Sequence, residues 1–449
     1  MTRRPSLNEI QMIKKNRQIV MLGSISLLAL MGLFSAAWPQ SGAGSEAVMA
    51  ETAQPAGNHT TAFTEEQVVE AALHFSKRVH SLSSNTDIAG QRLKSSGWID
   101  NPELRISDVS TRYYTDEFEE LEVGLRLRLP KLGQLGEEKQ QARVDLWDYK
   151  VEEIRYRQEF IAKVRKEFAD VLLFDQLAEL AQKKATKADE RVYVIEQLVG
   201  QGSRTVINLA KAKMWRAETQ NDLARAQQNQ NLGRRELAKR SGIAANALLL
   251  QDELPEVTLN LDELMDIAVQ NRPEIEFVQH RIELARQQKQ FEYLKLIPWF
   301  NFVEVSYHTE KPGDEDWGEF KAGINLPIFD WNLGNIKATQ LAVENKEDEA
   351  EAVKEMIEEE VSSAYLIYKD LLLDWTNYRS SSEELLATAM AVLNSEKQHD
   401  ILMSDDLAEL EWTIYDMQSS LAEKRHELAH ALFDLYFALG IKDHGKLLE

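Results

Sequence analysis

Apolar side chains recur at every third or fourth position along two very long stretches of the chain. The first stretch includes residues 137–199, and the second lies between Gly334 and Gly440; neither contains an internal glycine or proline. Steps of three and four are typical of coiled-coil seams, and runs without proline permit long helices. The seams consist of these apolar positions: Val144, Trp147, Val151, Ile154, Ile161, Val164, Phe168 and Val171, then Val353, Ile357, Val361, Ala364, Tyr368, Leu371 and Trp375.

Each long stretch is expected to fold back on itself as a helical hairpin. The segment 200–203 (Gly-Gln-Gly-Ser) interrupts the first stretch, and a returning helix is predicted to end near Arg240 with Gly242 as its cap. A single helix over residues 335–439 would be about 160 Å long, so the polar segment 395–406 is predicted to hold a second turn. The predicted hairpins cover residues 134–241 and 332–440.

A different pattern precedes each helical stretch. Residues 121–129 and 320–326 alternate apolar and polar positions with a period of two, which predicts strands with one apolar face. Candidate partner strands lie upstream at 104–115 and 299–308, although Phe302-Val303 breaks the alternation in the second. We therefore predict β-hairpins at 104–130 and 299–327.

The order of these elements indicates an internal duplication. Pro102 and Pro130 flank the first predicted β-hairpin, and Pro298 and Pro327 flank the second; a proline-free run follows each pair. A repeated frame of this kind is a fold-level signal. We predict repeat 1 over residues 63–250 and repeat 2 over residues 251–449, each with a helix, a β-hairpin and a long helical hairpin.

The predicted strands are about ten residues long, which suits tilted strands crossing a membrane. An open sheet edge cannot face lipid, and known barrels have about eight strands or more. Two hairpins give four strands, so like chains must pool them, and a homotrimer would provide twelve. Arg126, Arg128 and Lys321 are then predicted to face the barrel lumen. The apolar strand positions are predicted to face lipid: Leu121, Val123, Leu125, Leu127, Leu129, Ile324 and Leu326. A soluble sheet with one wet face is the alternative.

The N-terminal pattern is that of an export signal. Basic residues precede the uncharged apolar run 19–38, and small-residue cleavage sites follow it, so residues 1–50 are predicted to be a signal and cleavage region. Residues 51–62 are predicted to be a linker, and an uncleaved anchor is the rival interpretation. The formal net charge of -22 argues against nucleic-acid binding, and the absence of cysteine excludes disulfides and thiolate metal sites. No motif predicts a cofactor.

Five segments in this order resemble the TolC-type outer-membrane factors. Two of them lead into the first strand and out of the second, namely residues 97–104 (GWIDNPEL) and 127–136 (LRLPKLGQLG). The next two are residues 271–274 (NRPE) and 326–334 (LPIFDWNLG), which open the second repeat and repeat the strand-to-helix junction. The last is the terminal run 431–440 (ALFDLYFALG). The resemblance covers nearly all of the chain after the predicted signal.

The resemblance implies a mainly α-helical fold with a β-barrel contribution. Three chains would form a twelve-stranded barrel in the outer membrane and an α-barrel of long helical hairpins across the periplasm. Such a duct is not an enzyme; it passes substrate from an inner-membrane pump, with the RND type favoured, through a periplasmic adaptor. The implied tip, where the adaptor docks, comprises Gly202, Thr205, Asn208 and Leu209 in the first turn and Ser404, Asp405 and Asp406 in the second.

Within this family, the sequence around residues 101–104 and 329–332 is most similar to the heavy-metal cation efflux branch. Three copies of Asp405 and Asp406 would form an acidic ring favouring cations, although acidic residues at a helix start are also ordinary capping. A drug-efflux or type I protein secretion duct is the first alternative. A periplasmic coiled-coil interaction protein is the second, but it leaves the paired alternating segments unexplained.

One catalytic signature is present in the terminal segment. Residues 426–430 (HELAH) match the H-E-x-x-H pattern, in which histidines at i and i+4 bind zinc and the glutamate acts as base. No third ligand lies close in the sequence. The pattern also lies within a segment that resembles the terminal helix of the TolC-type outer-membrane factors. We therefore expect neither catalysis nor a functional metal site here. A weak surface metal contact by the same two histidines is one alternative, and a zinc protease is the remaining rival.

Overall fold

Helices form most of the described chain, and its four described strands form one small sheet. The computed structural model describes residues 63–111, 118–244, 260–310, 316–328, 331–398 and 405–441, all within the unit formed by residues 60–449. The predicted signal region and linker, residues 1–62, lie outside the described residues. The elements are α1 (Glu65–Phe75), α2 (Lys77–Ser95), β1 (Glu103–Thr111), β2 (Phe118–Arg128), α3 (Gln134–Gly200), α4 (Val206–Ser241), α5 (Leu261–Asn271), α6 (Pro273–Leu294), β3 (Trp299–Glu310), β4 (Trp317–Asn325), α7 (Leu333–Gln398) and α8 (Asp405–Leu439).

This arrangement confirms the predicted fold class of tandem long helical hairpins with a contribution from β-hairpins. The helices α3 and α4 pack against each other, as do α7 and α8. The turn predicted within 395–406 lies between the end of α7 at Gln398 and the start of α8 at Asp405, outside the described residues. Pooling of strands by three chains stays a prediction.

The first helical hairpin turns at a glycine followed by a helix cap. Gly202 has a φ of 75°, a left-handed conformation that glycine adopts without steric cost. Thr205 then caps α4, because its side chain accepts from the Asn208 backbone N–H while the Asn208 side chain accepts from the Thr205 backbone. At the other end of α4, Gly242 has a φ of 74°, which confirms the predicted C-terminal cap.

Two apolar cores reflect the duplication. In the first repeat, α1, α3 and α4 bury Val68, Val164, Phe168 and Leu237 against one another. In the second, α5, α7 and α8 bury a corresponding set that includes Leu264, Ile357, Val361, Tyr368 and Leu435. Several seam residues predicted from the three-and-four spacing, such as Phe168 and Tyr368, are therefore core residues.

The two repeats contact each other both through their helices and through their strands. Helix α3 packs against α4, α8 and α6, and α7 packs against α8 and α6. The four strands form one antiparallel sheet in the order β1-β2-β3-β4, so that β2 of the first repeat pairs with β3 of the second. A bulge between Phe300 and Phe302 shifts the register of β3 against β4, which explains the break in alternation seen in the sequence.

Candidate functional site

The sheet has one polar and one apolar face, and neighbouring rows of residues show the contrast. One row across all four strands reads Glu103, Arg126, Glu304 and Lys321, with charges that alternate in sign. The next row reads Leu104, Leu125, Val305 and Phe320, and every member is apolar. Because successive side chains of a strand point to opposite faces, these two rows lie on opposite sides of the sheet.

The polar face carries two ion-pair networks. Glu304 is 3% exposed, lies 2.5 Å from Arg126 Nε and also accepts from Arg105 at 3.2 Å. The Arg126 guanidinium lies 4.3 Å from the centre of the Phe302 ring. A carboxylate this deeply buried requires paired cations, which the two arginines supply.

The second network on this face is centred on Lys321. Its ammonium lies 3.0 Å from Glu122 and 2.8 Å from Glu319. His308 lies 3.2 Å from Glu319 and stacks on Trp317 with ring centres 4.0 Å apart. Of the three residues predicted to face a lumen, Arg126 and Lys321 thus belong to these networks, whereas Arg128 lies at the strand end beside Glu103 and is largely exposed.

The apolar face is open to its surroundings in the single chain. Side chains of the apolar row are 49% to 68% exposed, from Leu125 to Phe320. Among the residues predicted to face lipid, Leu125, Ile324 and Leu326 are exposed, and the others are partly exposed: Leu121, Val123, Leu127 and Leu129. Exposed apolar surface of this extent marks a contact with lipid or with another protein.

The predicted tip residues of the first turn lie together at the junction of α3 and α4. Leu209 packs on a small apolar cluster formed by Val192, Ile195 and Ala212, which holds the two helices together near the turn. Thr205 and Asn208 form the helix cap, and no described residue lies where a Cβ added to Gly202 would meet it.

Less of the second predicted tip is described. Ser404 lies outside the described residues, Asp405 is the first residue of α8, and Asp406 is exposed one position later. Carboxylates at a helix start are stabilised by the helix dipole.

A buried arginine links the helices of the second repeat. Arg272, between α5 and α6, donates to Glu360 Oε2 on α7 at 2.6 Å and to the Ala438 carbonyl on α8 at 3.2 Å. Its Nε also lies 3.3 Å from Glu274. The sequence marked residues 271–274 as a motif of the resembling family, but only the structure shows that Arg272 is 4% exposed and contacts two other helices.

The H-E-x-x-H motif is completed by a residue that sequence reasoning missed. Asp170 on α3 lies 2.6 Å from His426 Nε2 and 3.0 Å from His430 Nε2, both on α8. Burial alone would raise the pKa of the Asp170 carboxyl, but hydrogen bonds to the two histidines outweigh it and lower that pKa to about 2. Glu427, the would-be base, is exposed.

Within the part of the chain that the structure describes, no helix is both long enough and apolar enough to cross a membrane.

Comparison with known proteins identifies the fold. No family model matches the chain, and neither does any curated protein. Among solved structures, CusC, described in terms of transmembrane channel formation, is 17% identical with a TM-score of 0.65 over 87% of this chain and 96% of its own. The outer membrane protein VceC of Vibrio cholerae is 16% identical with a TM-score of 0.62, over 84% of this chain and 96% of its own. The MtrE outer membrane channel of Neisseria gonorrhoeae is 17% identical with a TM-score of 0.63, over 84% and 89%.

The chain therefore has the fold of outer-membrane channel proteins. This agrees with the fold expected from its resemblance to the TolC-type outer-membrane factors.

Proposed function

We propose that the chain is the outer-membrane exit duct of a tripartite efflux system and acts as a homotrimer. The duct spans the periplasm and conducts small substrates passively from an inner-membrane pump to the exterior. It makes and breaks no bond, so the energy for transport comes from the pump. The solved structures with this fold are channel proteins, which supports the proposal.

The observation that carries this proposal is the pair of adjacent rows across the sheet. An exposed all-apolar row and a row of alternating charges lie on opposite faces of the same four strands. In a soluble sheet with one wet face, the apolar side would be buried on a core and the charged side exposed. Here Glu304 is buried and Leu125 is half exposed, which is the reverse order and suits lipid outside and a polar interior.

The edges of the sheet support trimer formation. Among the described strands, β1 and β4 each pair with one neighbour only. Their free backbone N–H and C=O groups cannot face hydrocarbon, since each unsatisfied group costs several kcal/mol there. Three copies of the four-stranded sheet close into a barrel of twelve strands when β4 of one chain pairs with β1 of the next.

Cysteine cross-linking tests this closure, and the natural chain contains no cysteine to interfere. Cysteine at Leu104 or Ile106 on β1 is combined with cysteine at Phe320, Ala322 or Ile324 on β4, since all five positions lie on the apolar face. After oxidation in membranes, we expect at least one pair to give covalent dimers and trimers on denaturing gels. A monomeric band for every pair would contradict the closed trimer.

Two control pairs define the background of this experiment. Cysteines at Leu104 and Leu125 are direct partners within one chain, so they should oxidise without producing larger species. Cysteines at Arg105 and Phe320 lie on opposite faces of the sheet, so they should not cross-link between chains.

We further propose that the cargo consists of small cations, heavy-metal ions among them. The net charge of -22 and the acidic start of α8 support this. The charged row of the sheet is balanced in sign and does not by itself favour cations. Deletion of the gene should sensitise the host to heavy-metal salts; sensitivity to drugs alone, or loss of a secreted protein, would instead favour the drug-efflux or secretion duct.

In the same proposal, an adaptor docks on the tip and an RND-type pump supplies energy. The first-turn residues Thr205, Asn208 and Leu209 are held by a helix cap and an apolar cluster, which gives a partner a fixed surface. Val206 and Ile207, beside them, are 71% and 70% exposed. Site-specific photo-cross-linkers at these two positions should capture a periplasmic partner, while one at the exposed Leu232 on the same helix should not.

A further inference from the structure

Two histidines and one aspartate from opposite repeats converge where α3 packs against α8. His426 and His430 lie one turn apart on α8, with ring centres 4.1 Å apart. Both Nε2 atoms approach the same oxygen of Asp170 on α3, at 2.6 Å and 3.0 Å. The position is fixed by packing, because Ala169 next to Asp170 belongs to the same apolar cluster as Leu428 and Ala429.

We propose that Asp170, His426 and His430 bind a divalent transition-metal ion such as Zn²⁺, Ni²⁺ or Cu²⁺. Two imidazole nitrogens and one carboxylate oxygen are a donor set that these ions prefer over Mg²⁺ or Ca²⁺. The three ligand atoms lie within 4.8 Å of one another. Ligands of a tetrahedral zinc ion bound at about 2.0–2.1 Å are separated by about 3.3 Å. The 2.6 Å and 3.0 Å contacts of Asp170 would therefore have to lengthen by about 0.7 Å and about 0.3 Å to admit the ion.

The surroundings leave access for an ion and for water. The three side chains are 21% to 32% exposed, so the ligand atoms are sheltered but reachable. A small cleft beside His426 is lined by Ala169, Leu172, Ala422 and Ala429. Water is thus available to complete the coordination of a three-ligand site.

The bound ion would act as a clamp between the repeats. It would tie α3 of the first repeat to α8 of the second, one turn from the Lys166–Asp434 ion pair that joins the same helices at 2.5 Å. The proposal is for binding and not for hydrolysis, since Glu427 is exposed and interacts electrostatically with Lys424.

A second group in the described chain, Glu122, His308 and Glu319 on the sheet, is less suited to a cation. Lys321 already lies 3.0 Å and 2.8 Å from its two carboxylates. The ammonium supplies the positive charge there, and an incoming ion would have to displace it.

Metal titration of the purified, full-length protein in detergent tests the site. After removal of metal with a chelator, Zn²⁺ is titrated calorimetrically, and Cu²⁺ is added to a separate sample for electron paramagnetic resonance. We expect one ion per chain, a copper spectrum with coupling to two imidazole nitrogens, and a higher thermal midpoint with Zn²⁺ than without it.

Three single variants locate the bound ion: Asp170→Asn, His426→Gln and His430→Gln. Loss of a residue that would bind the ion directly should weaken zinc affinity by at least the roughly 10- to 100-fold that loss of an outer-shell hydrogen-bond partner costs. His80→Gln is the matched control, because His80 on α2 contacts the His74 carbonyl, away from the site. It should bind the ion as the natural chain does.

The copper spectrum keeps the proposal falsifiable even where a variant fails to fold, because it is recorded on the natural chain. A spectrum without nitrogen coupling would overturn the proposal. Equal affinity of the natural chain and a folded His426→Gln variant would overturn it as well, since the ion would then lie elsewhere.

Discussion

Arg272 shows how one buried charge can tie several helices together. Its guanidinium contacts Glu360 on α7, Glu274 on α6 and the Ala438 carbonyl on α8. The side chain is 3% exposed, so the charge is shielded from water and depends on these partners. The first repeat has a comparable buried pair, in which Arg165 on α3 lies 2.5 Å from Glu65 on α1.

We expect Arg272→Met to destabilise the protein by about 3–5 kcal/mol, because it removes the nearer of the two arginines paired with the buried Glu274 carboxylate and leaves only Arg155 at 3.9 Å. The thermal midpoint of the protein in detergent measures this loss. Arg78→Met is the matched control, since the Arg78–Glu152 pair is more than half exposed and such pairs contribute at most about 1 kcal/mol. Equal thermal midpoints for the two variants would show that the contacts of Arg272 do not stabilise the packing of these helices.

The sequence predicted the structural role of some residues and not of others. Gly242 was predictable as a cap, because a glycine after a helical run has a local explanation in the left-handed conformation. Asp170 was not, because it lies 256 positions from His426 and meets it only through the packing of α3 on α8. A motif search sees neighbours in sequence, whereas the third partner of this cluster is a neighbour only in space.

At the scale of elements, periodicity predicted the helices and strands well. The steps of three and four predicted the long helices, and the period of two predicted β2 and β4, because each pattern puts apolar side chains on one face. The pairing of β2 with β3 was not predicted, because adjacency of the two hairpins follows from the packing of the repeats. In the sequence, the bulge at Phe300–Phe302 was visible only as a break in the alternation of apolar and polar residues.

The start of α8 carries a prediction about ion selectivity. In the proposed trimer, replacing both Asp405 and Asp406 by asparagine would remove six carboxylates from the proposed tip. A unit charge about 4 Å from an ion in water changes its energy by about 1 kcal/mol, so the permeability ratio of cations to anions should fall roughly fivefold. Reversal potentials in planar bilayers with a salt gradient measure this ratio.

Asp416→Asn is the control for this experiment. Asp416 lies about three turns further along α8 and pairs with Lys184 on α3, so its loss should leave the ratio unchanged. If the tip variant kept the selectivity of the natural chain, the acidic residues would be helix caps only, as the alternative interpretation of the sequence holds.

At the scale of the whole molecule, the sheet formed by the described strands has two edges that no other described strand pairs with. The sheet ends in β1 and β4, and its apolar rows are exposed. Helix α7 also exposes apolar side chains, among them Leu366, Ile367 and Leu373. Surface of this kind is covered by neighbouring copies or by lipid in a stable assembly, which is why the orientation of the sheet faces is the decisive property to test.

Exchanging Arg105 and Ile106 tests that orientation without changing composition. The two residues are adjacent on β1, with Arg105 donating to Glu304 on the polar face and Ile106 63% exposed on the apolar face. The double variant Arg105→Ile, Ile106→Arg moves the guanidinium to the proposed lipid face. That placement costs about 2–4 kcal/mol per chain near the bilayer midplane, and all three chains of a trimer bear it.

We therefore expect the exchange variant to lose heat-resistant trimers from the outer-membrane fraction. Arg105→Gln alone is the control, because it removes the same ion pair while Arg126 still neutralises Glu304 at 2.5 Å. That variant should assemble nearly as the natural chain does. Normal assembly of the exchange variant would mean that Ile106 faces water or protein, and the sheet would then belong to a soluble interaction protein with its apolar side covered by a partner.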